Sequence, residues 1–103
     1  MLTIIGLSPE MTGSVRAAHW NLFAVTVQQH IDTYAVPQYG DYPNDQIEEF
    51  TVEDFKVNMK RYINRMSSNS RGSEESIRDC IKIAHYAQML YRKLMNEKEN
   101  DSA

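Results

Sequence analysis

The chain has few of the residues that interrupt regular structure. It contains four glycines, three prolines and a single cysteine, Cys80, among 103 residues. An all-β chain needs many tight turns, so the scarcity of glycine and proline argues against that class. A lone cysteine excludes an internal disulfide and fits a reducing compartment. We expect the Cys80 thiol to be buried on the apolar side of a helix.

Long apolar runs are also missing from the sequence. A membrane-spanning helix needs about 18 consecutive apolar residues, and no stretch of the chain reaches that length. The first residues, MLTIIGL, are apolar but carry no basic flank, which argues against a signal peptide. We therefore expect a cytoplasmic protein without a membrane partner.

Positive charge is in deficit over the chain as a whole, with a net charge of −3. This balance argues against bulk nucleic-acid binding. The distribution is uneven, because residues 32–54 hold seven acids and no lysine or arginine, whereas residues 56–82 hold seven bases and three acids. Such polarity can steer a small anion to one face, although the two regions could equally pair within the fold or between subunits.

Apolar side chains recur at intervals of three and four residues in three stretches of the chain. This spacing predicts one all-α domain, residues 1–103, with main helices at about 15–34, 52–66 and 74–96. The third helix has a main apolar face and a second, smaller one. Two faces on one helix, in a chain too short for a thick core, predict a homo-oligomer. The expected core face comprises Ile77, Cys80, Ile81, Ala84, Ala87, Tyr91, Leu94 and Met95.

Side chains suited to helix ends stand at the expected boundaries. Ser14, Thr51 and Ser73 are predicted N-caps, because their hydroxyls accept hydrogen bonds from free backbone N–H groups. Asp54, three residues after Thr51, predicts a capping box with aspartate in place of the usual glutamate. Pro37 is expected to end the first helix.

The remaining segments are predicted to be irregular. Residues 35–50, AVPQYGDYPNDQIEEF, are expected to form a long aromatic loop that packs back on the helices. Residues 1–13 form an N-terminal arm, and the polar tail 97–103 is expected to fray. The loop residues expected to pack on the helices are Tyr39, Tyr42, Ile47 and Phe50.

Basic and aromatic side chains are concentrated around the turn between the second and third predicted helices. Arginine presents a planar fork that matches phosphate oxygens, and tyrosine can stack on a base or ribose. The alternative is a solvated charged flank that is tied by pairs within its own helices. The predicted ligand site comprises Arg61, Tyr62, Arg65, Arg71, Arg78, Lys82, His85 and Tyr86.

Carboxylates suggest a metal-dependent alternative. Glu75 and Asp79 lie one turn apart on the third predicted helix, as in half of a Mg²⁺ site of a pyrophosphohydrolase. The matching carboxylate pair on the second predicted helix is missing, and the first-turn position of Glu75 is explained by the helix dipole alone. The three histidines lack zinc-ligand spacing, and no nucleophile or phosphate-loop motif occurs. We therefore predict no catalytic residue and no cofactor, with Mg²⁺ only under the alternative.

The segments HIDTYAVPQYGDYPNDQ, RYINRM and SRGSEESIRDCIKIAHYAQMLYRKL resemble parts of small phage- and prophage-encoded helical proteins. The families are the nucleotide-modification-associated and dATP/dGTP-diphosphohydrolase-like proteins, and the likeness covers about 30–95. Its matching positions are Arg61, Asp79, His85, Tyr86 and Ala87, with Tyr39 and Gly40 as a weaker upstream match. The chain departs from the hydrolase pattern by lacking the carboxylate pair on the second helix.

Three functional hypotheses follow. The resemblance, with the basic cluster, implies a phage-type protein that sequesters a nucleotide or nucleotide-derived immune signal, of cyclic-nucleotide or ADP-ribose type, without turnover. Such a protein would act as a host-defence antagonist in the bacterial cytoplasm. The second hypothesis is a Mg²⁺-dependent (d)NTP pyrophosphohydrolase. The third is an acidic inhibitor that binds a protein through residues 32–54.

Overall fold

The computed structural model describes residues 13–68 and 72–102, and every regular element within them is helical. This confirms the all-α class. The first long helix is built from α1, a π-helical segment and α2, and a short helix α3 precedes the two helices α4 and α5. The bounds are Val15–His30 for α1, Ile31–Ala35 for the π segment, Val36–Tyr39 for α2, Pro43–Glu49 for α3, Val52–Ser67 for α4 and Ser73–Ser102 for α5. The predicted N-terminal arm, apart from Gly13, lies outside the described residues.

Capping chemistry fixes the starts of α1 and α4 as predicted. The Ser14 hydroxyl accepts a hydrogen bond from the Ala17 N–H at 3.1 Å. Thr51 and Asp54 form the reciprocal capping box, with N···O distances of 3.0 and 2.8 Å. The prediction for Ser73 is wrong by one position, because Ser73 is the first residue of α5 and Gly72 precedes it.

The core lies where α3 and α4 pack on α5. Phe55 of α4 is fully buried and is joined by Ile47 of α3 and Met89 of α5. The Lys93 ammonium donates a hydrogen bond to the Ile47 carbonyl at 3.1 Å, which ties α3 to α5. Partly buried side chains extend this cluster, namely Phe50, Met59, Tyr86 and Leu90.

Pro37 does not end the first helix, contrary to the sequence prediction. The helix continues to Tyr39, and the turn before the proline widens so that the Val36 N–H donates to the Ile31 carbonyl, five residues back. In a regular α-helix the ring of Pro37 would clash with the carbonyl four residues earlier. The proline nitrogen also carries no hydrogen that it could donate to that carbonyl. The π segment relieves this conflict, which is a known way for a helix to accommodate such a residue.

The predicted loop 35–50 is mostly helical, so that prediction is wrong in its main feature. Only residues 40–42 separate α2 from α3, and Gly40 turns the chain at φ +87°. Ile47 and Phe50 pack on the core as expected. The other two aromatic residues do not, because Tyr39 and Tyr42 are 73% and 78% exposed.

The sequence also misplaces the inner face of α5 and its end. The helix runs to Ser102 rather than ending near 96, so residues 97–102 are helical instead of frayed. Cys80, expected in the core, is exposed, as are Ile77 at 60% and Tyr91 at 63%. The side of α5 that meets α4 carries Asp79, Tyr86 and Met89. These residues are seven and three positions apart, so they also lie on one side of the helix. Ile81 of the predicted core face is buried as expected, and Ala84 and Met95 are half-buried, so the prediction is right for these residues and wrong for the exposed ones.

Two large apolar side chains of α1 are exposed, on different sides of the helix. Trp20 and Leu22 are 61% and 70% exposed, although the Trp20 ring makes an edge contact with Phe23 at 5.8 Å. None of the helices in residues 13–68 and 72–102 is both long enough and apolar enough to cross a bilayer.

Candidate functional site: a tyrosine-lined groove

A groove of about 860 Å³ runs between the π segment and α2 on one side and α5 on the other, with α3 and α4 closing it. The chain contains six tyrosines, and all six line this groove. They come from the first long helix and the turn after it, from α4 and from α5, so tertiary packing brings them together. The tyrosines are Tyr34, Tyr39, Tyr42, Tyr62, Tyr86 and Tyr91.

Lys82 and Arg92 bring positive charge to the groove, whose lining also includes Asp41 and Glu49, and Lys82 is the cation beside the tyrosines. Its ammonium nitrogen lies 5.7 Å from the ring centroid of Tyr34 and 5.4 Å from that of Tyr62, so one cation contacts two tyrosine rings on different helices. Arg61 lies beside the same tyrosine, with its guanidinium carbon 5.0 Å from the Tyr62 centroid. Arg61 Nη2 also donates to the Tyr62 hydroxyl at 3.3 Å. Within the described residues neither Arg61 nor Lys82 forms an ion pair with a carboxylate.

The third cation beside Tyr62 has a structural partner. Arg65 lies over the Tyr62 ring at 5.0 Å and donates both Nη2 and Nε to Asp79, at 2.5 and 3.3 Å. The hydrogen bonds to Asp79 raise the pKa of Arg65. Because Asp79 is fully buried, the pair holds α4 against α5. Arg65 is therefore committed to the fold, beside the groove rather than in its wall.

The remaining predicted site residues lie apart from the groove wall. Arg78 pairs with Glu75 one turn earlier on the exposed side of α5, as the solvated-flank alternative expects. Arg71 lies outside the described residues. The structure thus brings together Tyr62, Lys82, His85 and Tyr86 in the groove, with Arg61 at its edge.

The carboxylates of the predicted metal half-site have arginine partners. Glu75 contacts Arg78, and Asp79 contacts Arg65. In the part of the chain that the structure describes, no three His, Cys, Asp or Glu side chains converge closely enough to hold a metal ion. This geometry gives the Mg²⁺ alternative no support.

Two histidines face each other across the groove. Burial lowers the pKa of His85, and the nearby His30 lowers it further. Burial also lowers the pKa of His30, with a further contribution from the charge of Lys82. Both imidazoles therefore favour the neutral form, and a bound anion would oppose this trend by stabilising the imidazolium.

Two phenols of the groove, those of Tyr86 and Tyr39, favour the protonated form. Burial, followed by the proximity of Tyr62, raises the pKa of Tyr86. Slight desolvation and the neighbouring Tyr34 raise the pKa of Tyr39 in the same direction, although its side chain is largely exposed. The groove therefore presents neutral hydroxyl groups that can donate hydrogen bonds, together with ring faces.

One wall of the groove was missed by the sequence prediction. Tyr34, Tyr39 and Tyr42 face the predicted residues from the opposite side, and the sequence assigned them to a helix stripe and a packed loop. A usable signal was present, because every tyrosine of the chain lies between residues 34 and 91.

Comparison of the chain with protein families, curated proteins and solved structures finds no match. The functional inference therefore depends on the residues of the groove.

Proposed function

We propose that the tyrosine-lined groove binds a small anion that carries an aromatic ring, of the nucleotide type. The observation that carries this proposal is the convergence of all six tyrosines of the chain on one groove, beside two cations without a carboxylate partner among the described residues. Aromatic rings and unpaired cations together match the two chemical parts of a nucleotide.

The dimensions and lining suit such a ligand. A volume of about 860 Å³ lies within the range of about 300–1,000 Å³ that is usual for small-molecule sites. Stacking of a base on an aromatic side chain contributes about 1–3 kcal/mol and tolerates any base. Tyr39 and Tyr42 are well exposed and therefore have ring faces available for a base.

The charges suit a phosphate. Lys82 and Arg61 flank Tyr62, so an anion placed near the Tyr62 hydroxyl would meet an ammonium and a guanidinium. Arginine binds phosphate oxygens in pairs, and lysine supplies a mobile point charge. Both cations rest on tyrosine rings, a contact worth about 0.5–2 kcal/mol, which a phosphate can replace with a stronger interaction.

We further propose that the ligand is held without turnover. The carboxylates Glu75 and Asp79, which a hydrolytic mechanism would use, contact arginines instead. The resemblance to phage-encoded proteins supports a narrower form, in which the ligand is a nucleotide-derived immune signal of cyclic-nucleotide or ADP-ribose type and its sequestration antagonises host defence.

The test is equilibrium dialysis of the protein against cyclic dinucleotides, ADP-ribose and dNTPs with Mg²⁺, followed by denaturation and mass spectrometry of the released compounds. Depletion of one compound and its recovery intact would support sequestration. Recovery as a product would show an enzyme and favour the pyrophosphohydrolase alternative. No depletion of any compound would overturn the proposal and favour the acidic protein-binding inhibitor.

Substitutions at the groove cations test the site itself. Lys82→Ala and Arg61→Ala should each weaken binding about tenfold or more, because each removes one charge that faces the phosphate. Lys60→Ala is the matched control, since Lys60 is an exposed cation on the same helix as Arg61 and does not line the groove. Equal affinity of Lys82→Ala and Lys60→Ala for the depleted compound, measured by calorimetry, would place the site elsewhere.

A further inference from the structure

An apolar seam follows the outer side of α5 with heptad spacing. Its residues recur at alternating intervals of three and four, the pattern by which two helices pack along each other. We call these residues the α5 seam. They are Ile77, Cys80, Ala84, Ala87, Tyr91 and Leu94.

Within residues 13–68 and 72–102, no segment covers most of the α5 seam. Ile77, Tyr91 and Leu94 are 60%, 63% and 47% exposed, and only Ala84 is half-buried. The opposite side of the helix already packs on α4 through Asp79, so the seam is a second face of α5, and its residue Tyr91 also lines the edge of the groove. A heptad of exposed apolar residues over nearly three repeats is an uncompleted helix–helix interface.

We propose that a second copy of this chain covers the α5 seam, with the two α5 helices antiparallel. In an antiparallel pair whose midpoint lies between Ala84 and Ala87, large seam residues of one copy face seam residues of suitable size on the other. Ile77 then faces Leu94 of the second copy, and Tyr91 faces the small Cys80. At the centre Ala84 faces Ala87, which lets the two backbones approach closely.

Charge selects the same direction. The next position of the heptad after Leu94 is Lys98, and in a parallel pair the two Lys98 ammonium groups would face each other. In the antiparallel pair Lys98 lies beside Glu74 of the second copy, at the start of its α5.

The mass of the protein in solution tests the pairing. Sedimentation equilibrium of the full chain should give twice its mass of 12.0 kDa. Ala87→Glu and Leu94→Glu should halve this value without loss of helical circular dichroism, because both side chains are exposed in the single chain. Asn96→Glu is the matched control, since Asn96 is exposed on another side of the same helix. A monomeric wild type, or a dimer that persists in both seam variants, would overturn the proposal.

Cross-linking tests the direction of the helices. In the antiparallel pair the two native Cys80 residues are about 16 Å apart along the axis, too far for a disulfide. Tyr91→Cys should therefore form a covalent dimer on mild oxidation, through Cys80 of one copy and the new thiol of the other. The double variant Tyr91→Cys with Cys80→Ser should stay non-covalent. A disulfide dimer of the wild type, or of the double variant, would show parallel helices and reject the antiparallel pair.

Discussion

At the scale of single residues, the pair of Arg65 and Asp79 decides how α4 meets α5. Arg65→Ala removes a guanidinium that holds both oxygens of a fully buried carboxylate. We expect a loss of about 3 kcal/mol in the free energy of unfolding, measured by urea denaturation, because a buried charge is left with fewer partners. Arg65 is about one-third exposed, which keeps the loss at the lower end for such pairs.

The exposed pair of Arg78 and Glu75 is the control for this prediction. Arg78→Ala should change the free energy of unfolding by less than about 1 kcal/mol, because solvent screens the pair. Replacing both buried partners, as in Arg65→Met with Asp79→Leu, should recover most of the loss. Equal effects of Arg65→Ala and Arg78→Ala would show that the buried carboxylate does not depend on Arg65.

His30 and His85 predict how stability depends on pH. Their pKa values are lowered in the folded chain from an ordinary value of 6.5, so the unfolded chain takes up protons at a higher pH. Their contribution to stability is therefore complete above that value and is lost as the pH falls below it. Melting temperatures measured from about pH 8 to about pH 5 should fall, and His85→Gln should flatten the curve.

His19 gives the matched control, since it is exposed on α1 and does not line the groove. His19→Gln should keep the wild-type pH curve. If the groove binds an anion, affinity should change in the opposite direction and rise as the pH falls, because protonated imidazoles add positive charge. A stability curve that is the same with and without His30 and His85 would show that other groups control the pH response.

At the scale of elements, the π segment positions one wall of the groove. Ile31, Tyr34 and Ala35 of this segment all line it, and Pro37, whose ring a regular helix interior does not accommodate, follows two residues after the segment ends. Pro37→Ala permits a regular α-helix, which would rotate Tyr34 relative to Lys82. We expect a higher melting temperature and about tenfold weaker binding of the ligand found by dialysis, measured by calorimetry.

Pro43→Ala is the comparison for this variant, because Pro43 is the first residue of α3, where a proline fits the helix. It should leave both the melting temperature and the affinity near the wild-type values. Unchanged affinity in Pro37→Ala would mean that the groove tolerates either form of the helix.

The helices were predictable in class and in part in their boundaries. Hydroxyl side chains at Ser14 and Thr51 fix two helix starts through local hydrogen bonds, which depend only on nearby sequence. The end of the first helix was not predictable in this way. Pro37 normally stops a helix, but the π turn, supported by packing across the groove, allows the chain to continue to Tyr39.

At the scale of the whole molecule, the chain is extended for its length. Its radius of gyration is 15.6 Å, whereas a compact chain of this size would have about 13 Å. The apolar spacing of α5 could not reveal which face is internal, because a heptad seam looks the same whether it is covered by the same chain or by another. The inner face contains two charged residues, which an apolar pattern does not mark. Asp79 is paired there with Arg65, and Lys82 contacts the rings of Tyr34 and Tyr62.

The sequence predicts one wall of the candidate site but not the other. Tyr62, Lys82, His85 and Tyr86 lie on two helices joined by a short turn, so their proximity follows from a helical hairpin. Tyr34, Tyr39 and Tyr42 reach them only through the long-range docking of the first helix, which no local pattern encodes. Arg78, assigned to the site from its helical spacing, instead finds a carboxylate one turn away.

The placement of the aromatic residues divides the optical signals of this protein between two surfaces. Trp20, the only tryptophan, is exposed on α1 and does not line the groove, whereas all six tyrosines do. Tryptophan fluorescence therefore reports solvent exposure of α1 and is a poor probe of the core. Tyrosine absorbance and near-ultraviolet dichroism overlap those of Trp20, so the part of these signals that a Trp20→Phe variant keeps reports the groove without a label.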